Sequence, residues 1–348
     1  MKKKELSLIL GMAFSAALTF GGCANAAPMV SGEHPNVELS TWVSYWDSKD
    51  GLYEYDKIKD RLVSVAAFSA SYDPDDKLVL PMDTEKIIKS INKDSEDTYL
   101  SVVNDVWVGE NSNKNAEKSE ELMVRLLKNE EKRQNTAQEM IDTAKKYNLK
   151  GIELDYENFW SDSKSARRYV EFLPVLYDLC QQNDLKLRVV LEPLKTDFDA
   201  EFPEGPEYVI MVYNLYGIHS GPGPKANRSL IDRVMKNYEK LPGKKGLAFA
   251  TGGCQWKDYG LLGFIKGEGK FIDQSEAEFL ARKYFAKVER DSDSAALNFT
   301  YTENDSIYAV WYADTETINA WITEVANRGV TNISIWRLGH NVGIENIK

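Results

Sequence analysis

Past residue 37 the hydrophobic positions of the chain alternate between two rhythms. Short runs rich in Val, Ile, Leu and aromatic residues mark strands, and longer stretches with apolar positions three and four apart mark helices. The pattern predicts strands at 37–46 (VELSTWVSYW), 61–70 (RLVSVAAFSA), 98–108 (TYLSVVNDVWV), 149–157 (LKGIELDYE), 185–193 (LKLRVVLEP), 207–217 (EYVIMVYNLYG), 244–253 (KKGLAFATGG) and 331–339 (TNISIWRLG). Between them it predicts a short helix after the first strand, a long charged helical region at 115–147, and an amphipathic helix over SKSARRYVEFLPVLYDLCQQN. Further helices are predicted at 227–239 and 315–328. Eight strands alternating with helices imply an α/β chain whose parallel sheet closes on itself, a (β/α)8 TIM barrel over 37–348. The interval between Ala250 and Thr331 is too long for that scheme. It holds a helix-like SEAEFLARKYFAKV and strand-like AALNFTYTEND and SIYAVWYAD. We read about 251–313 as a small α+β insertion between strands 7 and 8, walling the mouth of the barrel.

The fourth strand carries the chemistry. In GIELDYENFW, Glu153, Asp155 and Glu157 stand at alternate positions, so strand geometry sends them to one side with Gly151. Ile152, Leu154 and Tyr156 go to the other side, toward the helix layer. Alternate residues repeat every ~6.6 Å along a strand, which brings neighbouring carboxyls within mutual influence. In a partly dry interior such a row does not ionise completely; a proton is shared and at least one pKa rises. Glu157, nearest the C-terminal mouth, is then a carboxylic acid able to protonate a leaving oxygen. The bland alternative is a solvated acidic face on an edge strand. Ile and Leu on one side and Gly within the acidic side favour the interior.

Charge and composition narrow the field. The 348 residues carry a formal net charge of -11, and removing residues 1–23, with three Lys and one Glu, takes it to -13. Such a surface repels nucleic acid and anionic headgroups, whereas neutral sugars are indifferent to it. Lys2, Lys3 and Lys4, the apolar run LSLILGMAFSAALTF and the small residues of GGCANAAP form a leader too short to span a membrane. FGGC predicts a lipoprotein signal at 1–23, with Cys23 lipidated, and hence an exported protein anchored to the bacterial cell envelope through that lipid. ANA at 24–26 offers ordinary cleavage and a secreted product instead. Residues 24–36 read as a tether. Cys180 and Cys254 are expected as buried, unpaired thiols. His34, His219 and His340 are scattered, and no metal-ligand spacing occurs, so neither a metal nor a cofactor is called for.

GIELDYEN resembles the signature of glycoside hydrolase family 18, chitinase-like enzymes in which acids at alternate positions end in the catalytic Glu. IMVYNLYG is similar to the family's sixth strand and ISIWRLG to its eighth. The segment FTYTENDSIYAVWYADTETINAWITEVANRGVTNISIWRLG resembles the branch of bacterial spore cortex-lytic N-acetylglucosaminidases. The likeness runs over roughly residues 38–342. It implies substrate-assisted, retaining hydrolysis of β-1,4 linkages after N-acetylglucosamine, in peptidoglycan or chitin-type glycans, with the 2-acetamido oxygen of the substrate as nucleophile. Under it Glu157 is the general acid/base, Asp155 orients the acetamido group, and Tyr213, with Asn214, holds its oxygen. Glu153 stands where the family usually has Asp, Asn214 replaces a commoner Asp, and Lys150 occupies a position often held by Asp.

Sugar rings stack on aromatic faces. Trp336 is implied as the floor for the sugar to be cleaved, and Tyr45, Trp46, Trp107, Trp256 and Tyr312 are further candidates near strand ends or in the insertion. A lectin-like envelope protein that binds N-acetylglucosamine glycans without cutting them is the alternative. The presence of Glu157, Asp155 and Tyr213 argues against it.

Overall fold

The computed structural model describes residues 27–95, 97–193, 201–258 and 268–348. The leader reading, with Cys23, lies outside the described residues. Eight parallel strands form the barrel: β1 (Glu38–Ser44), β2 (Leu62–Tyr72), β3 (Thr98–Val106), β4 (Gly151–Asp155), β5 (Lys186–Leu191), β6 (Glu207–Met211), β7 (Lys245–Ala250) and β8 (Asn332–Leu338). Each pairs with the next, and β1 pairs with both β2 and β8, which closes the ring. A two-residue strand, Leu78–Val79, adds antiparallel to the end of β2.

The strand periodicity sorts side chains into two cores. Ile152, Leu154, Leu187, Val189 and Leu191 join the large cluster between sheet and helices, whereas Trp42, Ala66, Tyr99, Val190, Val209, Met211 and Ala248 fill the barrel interior. Gly151 belongs to that interior because a Cβ there would come within 2.4 Å of the Tyr99 ring and 2.9 Å of the Lys186 carbonyl. Only a residue without a side chain lets Tyr99 plug the barrel floor.

The helical region expected at 115–147 is two helices, Glu120–Leu126 and Glu130–Lys146. Asn129 breaks it: its backbone is extended (φ −150°, ψ 175°) and its side chain accepts from the Lys132 amide at 2.9 Å, capping the second helix. The periodicity of the region hides that stop. Residues 27–36, the described part of the expected tether, run without regular structure along the body. Met29 is buried and its amide donates to the Ser292 carbonyl at 2.8 Å.

Between β7 and β8 a second, antiparallel sheet is built from Gly252–Lys257, Glu268–Ile272, Glu289–Arg290, Leu297–Glu303 and Ser306–Ala313. The helix Gln274–Lys283 packs on it, and Phe299, Tyr301, Val310 and Tyr312 form its own core. Cys180 and Cys254 are both buried and free.

Candidate active site

The strands stop earlier than their sequence pattern suggests, and that places the polar residues. β4 ends at Asp155 and β6 at Met211, so Glu157 and Tyr213 each stand two residues past a strand end, at the C-terminal rim. Asn104, buried on β3, fixes the backbone of Glu157 from both sides. Its Oδ1 accepts from the Glu157 amide and its Nδ2 donates to the Glu157 carbonyl, each at 2.9 Å. Asn158 and Asn214 then turn the chain with φ of 65° and 64°, a left-handed conformation that asparagine tolerates better than most side chains.

A cleft of about 650 Å³ opens above the barrel. Asp155, Glu157, Tyr213, Asn214, Tyr45, Trp46, Phe68 and Trp336 line it, with Asp105, Lys118, Lys225 and Arg337. Trp336 rests edge-on against Phe68 (centroids 4.7 Å apart) and Trp42 (5.6 Å), and Trp46 flanks it at 6.4 Å. The Trp336–Arg337 and Phe68–Ser69 peptide bonds are cis.

The acidic row does not act as one shared-proton system. Glu153 is fully buried and forms an ion pair with Arg188 from β5, Nε to Oε2 2.6 Å, at matched register. The Trp42 indole N–H donates to its other oxygen. Arg188 lies in the interior over the rings of Tyr99 (4.7 Å) and Trp42 (5.5 Å) and donates to Ser64 Oγ at 3.1 Å. Asp155, one step up, is buried, and its Oδ1 has no hydrogen-bond partner. Burial, then the charges of Glu157 and Glu153, push its pKa well above the usual aspartate range, against the pull of Lys118. Glu157 is raised by burial as well, while Lys118 opposes that rise and Glu192 and Asp105 add to it. Asp105 is pushed up to about 6, chiefly by burial.

Lys118 is the contact that the sequence reading missed. Its Nζ lies 2.6 Å from Glu157 Oε1. No periodicity announces it, because it comes from an irregular loop after β3. Arg188 did leave a signal: LKLRVVLEP sets one arginine on the inward parity of a strand that neighbours the acidic one.

The aromatic candidates divide. Trp336, Tyr45 and Trp46 line the cleft, and Trp107 stands behind, half-buried, with its ring 5.6 Å from that of Tyr45. Trp256 and Tyr312, expected to meet sugar, are buried. Trp256 donates its indole N–H to the carbonyls of Gly217 (3.1 Å) and Ser220 (3.0 Å), and Tyr312 packs against Phe299 inside the second sheet. Both are packed inside the protein: Trp256 and Cys254, two apart on one strand, are buried, whereas Gln255 between them is half-buried. Tyr213 is buried at the base of the cleft, and burial together with the nearby charges of Asp155 and Glu157 keeps its phenol neutral far above the usual range.

The sequence profile of glycosyl hydrolases family 18 matches residues 42–341. The chain is 23% identical over 296 residues to the cortical fragment-lytic enzyme of Bacillus subtilis (strain 168), covering 80% of this chain and 65% of that one. It is 24% identical over 216 residues to the Bacillus anthracis protein of the same name, covering 58% of this chain and 49% of that one. It therefore spans between about half and two thirds of these relatives. The spore cortex-lytic enzyme SleL of Bacillus cereus superposes with a TM-score of 0.75 at 22% identity, over 91% of this chain and 74% of that one. A chitinase from Chromobacterium violaceum does so with a TM-score of 0.71 at 18% identity, over 89% and 96%. These superpositions establish the (β/α)8 fold.

Proposed function

Because the chain belongs to glycosyl hydrolases family 18, we propose that it is a retaining glycoside hydrolase that cleaves β-1,4 linkages after N-acetylglucosamine. The observation that carries this reading is the convergence of Glu157, Asp155, Tyr213 and Trp336 on one cleft at the barrel mouth. Retaining glycosidases with an enzymic nucleophile keep two carboxyls ~5 Å apart for that purpose. Here the carboxyl beside Glu157 is Asp155, buried at the base of the cleft. Its unpartnered Oδ1 suits a different task, accepting the N–H of a 2-acetamido group. The acetamido oxygen, held in line by Tyr213 and Asn214, then attacks the anomeric carbon as Glu157 protonates the leaving oxygen. The resulting oxazolinium ion carries positive charge next to Asp155, whose carboxyl, accepting the acetamido N–H, offsets it. Glu157 returns as base, taking a proton from the water that opens the ring.

Glycans of the peptidoglycan type are the preferred substrate on the strength of the cortex-lytic relatives, with chitin-type oligomers next. The test compares the protein with its Glu157→Gln variant on N-acetylated chito-oligomers and peptidoglycan. Loss of about 10²–10⁴-fold in kcat and first products of β configuration are expected. Binding without cleavage by both proteins would leave the lectin reading standing instead.

A further inference from the structure

The ion pair between Lys118 and Glu157 poses a problem for that chemistry. A general acid must hold a proton, yet an ammonium 2.6 Å from its carboxyl oxygen favours the carboxylate. Lys118 is not a casual contact. Its backbone is left-handed (φ 51°), its amide donates to Asp105 Oδ1 at 2.7 Å, and its carbonyl accepts from Asn158 Nδ2 at 3.3 Å. The loop is thus built to aim this lysine at Glu157, while the side chain itself stays 44% exposed.

We propose, building on the hydrolase reading, that Lys118 selects a glycan whose leaving-group sugar carries a free carboxylate and exchanges Glu157 for that carboxylate on binding. The stereochemistry of the bond supplies the reach. The oxygen that Glu157 protonates is attached to C4 of the leaving sugar, and C3 is the next carbon. A carboxylate borne on O3, as in the lactyl ether of muramic acid, therefore projects beside the same oxygen. The swap conserves charge: Lys118 moves from one carboxylate to another, and Glu157 takes one proton from water. The freed Glu157 then faces Asp155 on β4, Asp105 on β3, Glu192 after β5 and Tyr213 after β6, without the charge of Lys118 beside it, so it holds that proton. In peptidoglycan the lactyl carboxyl is tied up as an amide wherever a peptide stem is attached. The reaction class that supplies this substrate is accordingly amide hydrolysis, which strips the stem before the glycan is cut.

Three tetrasaccharides test the proposal: alternating N-acetylglucosamine and N-acetylmuramic acid with free lactyl groups, the same glycan as its lactyl methylamide, and N-acetylchitotetraose. The wild-type protein is expected to prefer the free acid over the methylamide by about tenfold or more in kcat/KM. Lys118→Met is expected to erase that preference while raising the rate on both neutral glycans near pH 7, and Lys118→Arg to keep it. A merely structural lysine would lower all three rates together, and that result overturns the proposal. So does equal use of acid and methylamide by the wild type, a comparison that needs no variant to fold. Cleavage of none of the three would sink the hydrolase reading itself. Equal affinity for all three glycans would then overturn the role of Lys118 as well.

Discussion

Glu153 shows how far a single side chain can depart from the role its spacing suggests. Sequence alone made it the first of three acids sharing protons. In the fold it is half of a buried ion pair, which leaves Asp155 and Glu157 for the proposed proton transfer. The pair with Arg188 is an obligation more than an asset, because two charges removed from water repay their desolvation only when both are present. Glu153→Gln should leave an unpaired guanidinium in the barrel and cost about 3–5 kcal/mol. Adding Arg188→Met should recover much of that loss. Urea unfolding of the three proteins checks it, and a single variant as stable as wild type would refute the account. The extra methylene of Glu153, relative to the Asp usual in the family, has a use here: its carboxylate meets both Arg188 and Trp42.

Among the elements, what the sequence made legible were the eight strands, the main helices and the inward parity of the acidic row. These depend on long apolar periodicity, which tertiary contacts reinforce. What escaped were ends and irregular loops, where one polar contact decides. Asn104 ends the useful length of β4 by gripping Glu157, Asn129 divides a helix, and the loop carrying Lys118 obeys no period at all. The second sheet gives the same lesson from the other side. Trp256 looked like a sugar platform but is the peg that fastens this sheet, whose Gly252, Gly253, Phe271 and Ile272 line the cleft, to the Gly217–Ser220 turn. Trp256→Phe removes both hydrogen bonds and leaves the Gly217 and Ser220 carbonyls without that donor. The expected result is a KM several-fold higher with kcat changed less, since Asp155 and Glu157 stand at the end of β4 and just past it, not on this sheet. Steady-state kinetics on chito-oligomers measures it, and an unchanged KM would show that the wall does not shape the subsites.

For the molecule as a whole, the buried carboxyls set the pH response. Asp155, Asp105, Glu157 and Glu54 all have pKa values raised chiefly by burial. A carboxyl raised on folding binds more protons in the native than in the unfolded chain across the interval between its two pKa values. Stability therefore falls as pH climbs through that interval. For Asp105 the interval runs from 3.8 to about 6, worth on the order of 3 kcal/mol. Surface carboxylates held low, such as Asp83 by Ser48 and Lys86 or Asp162 by the amide and hydroxyl of Ser165, act the opposite way. Their contribution disappears as pH drops below the ordinary carboxylate range. Maximal stability is expected near pH 4–5, and Asp105→Asn should flatten the decline between pH 4 and 6. Melting curves across that range decide the matter, and an unaltered slope would discount Asp105.

The closure of β1 against β8 bears on how this protein comes into being. Trp42 and Trp336 touch, yet nearly the whole polypeptide lies between them. A nascent chain emerging from the ribosome can assemble helices and neighbouring strands as it goes, but the proposed platform for the sugar is absent until the last strand slots in. Pairings of such long sequence separation form slowly, so a sugar-stacking signal from Trp336 fluorescence should lag the gain of helical circular dichroism during refolding.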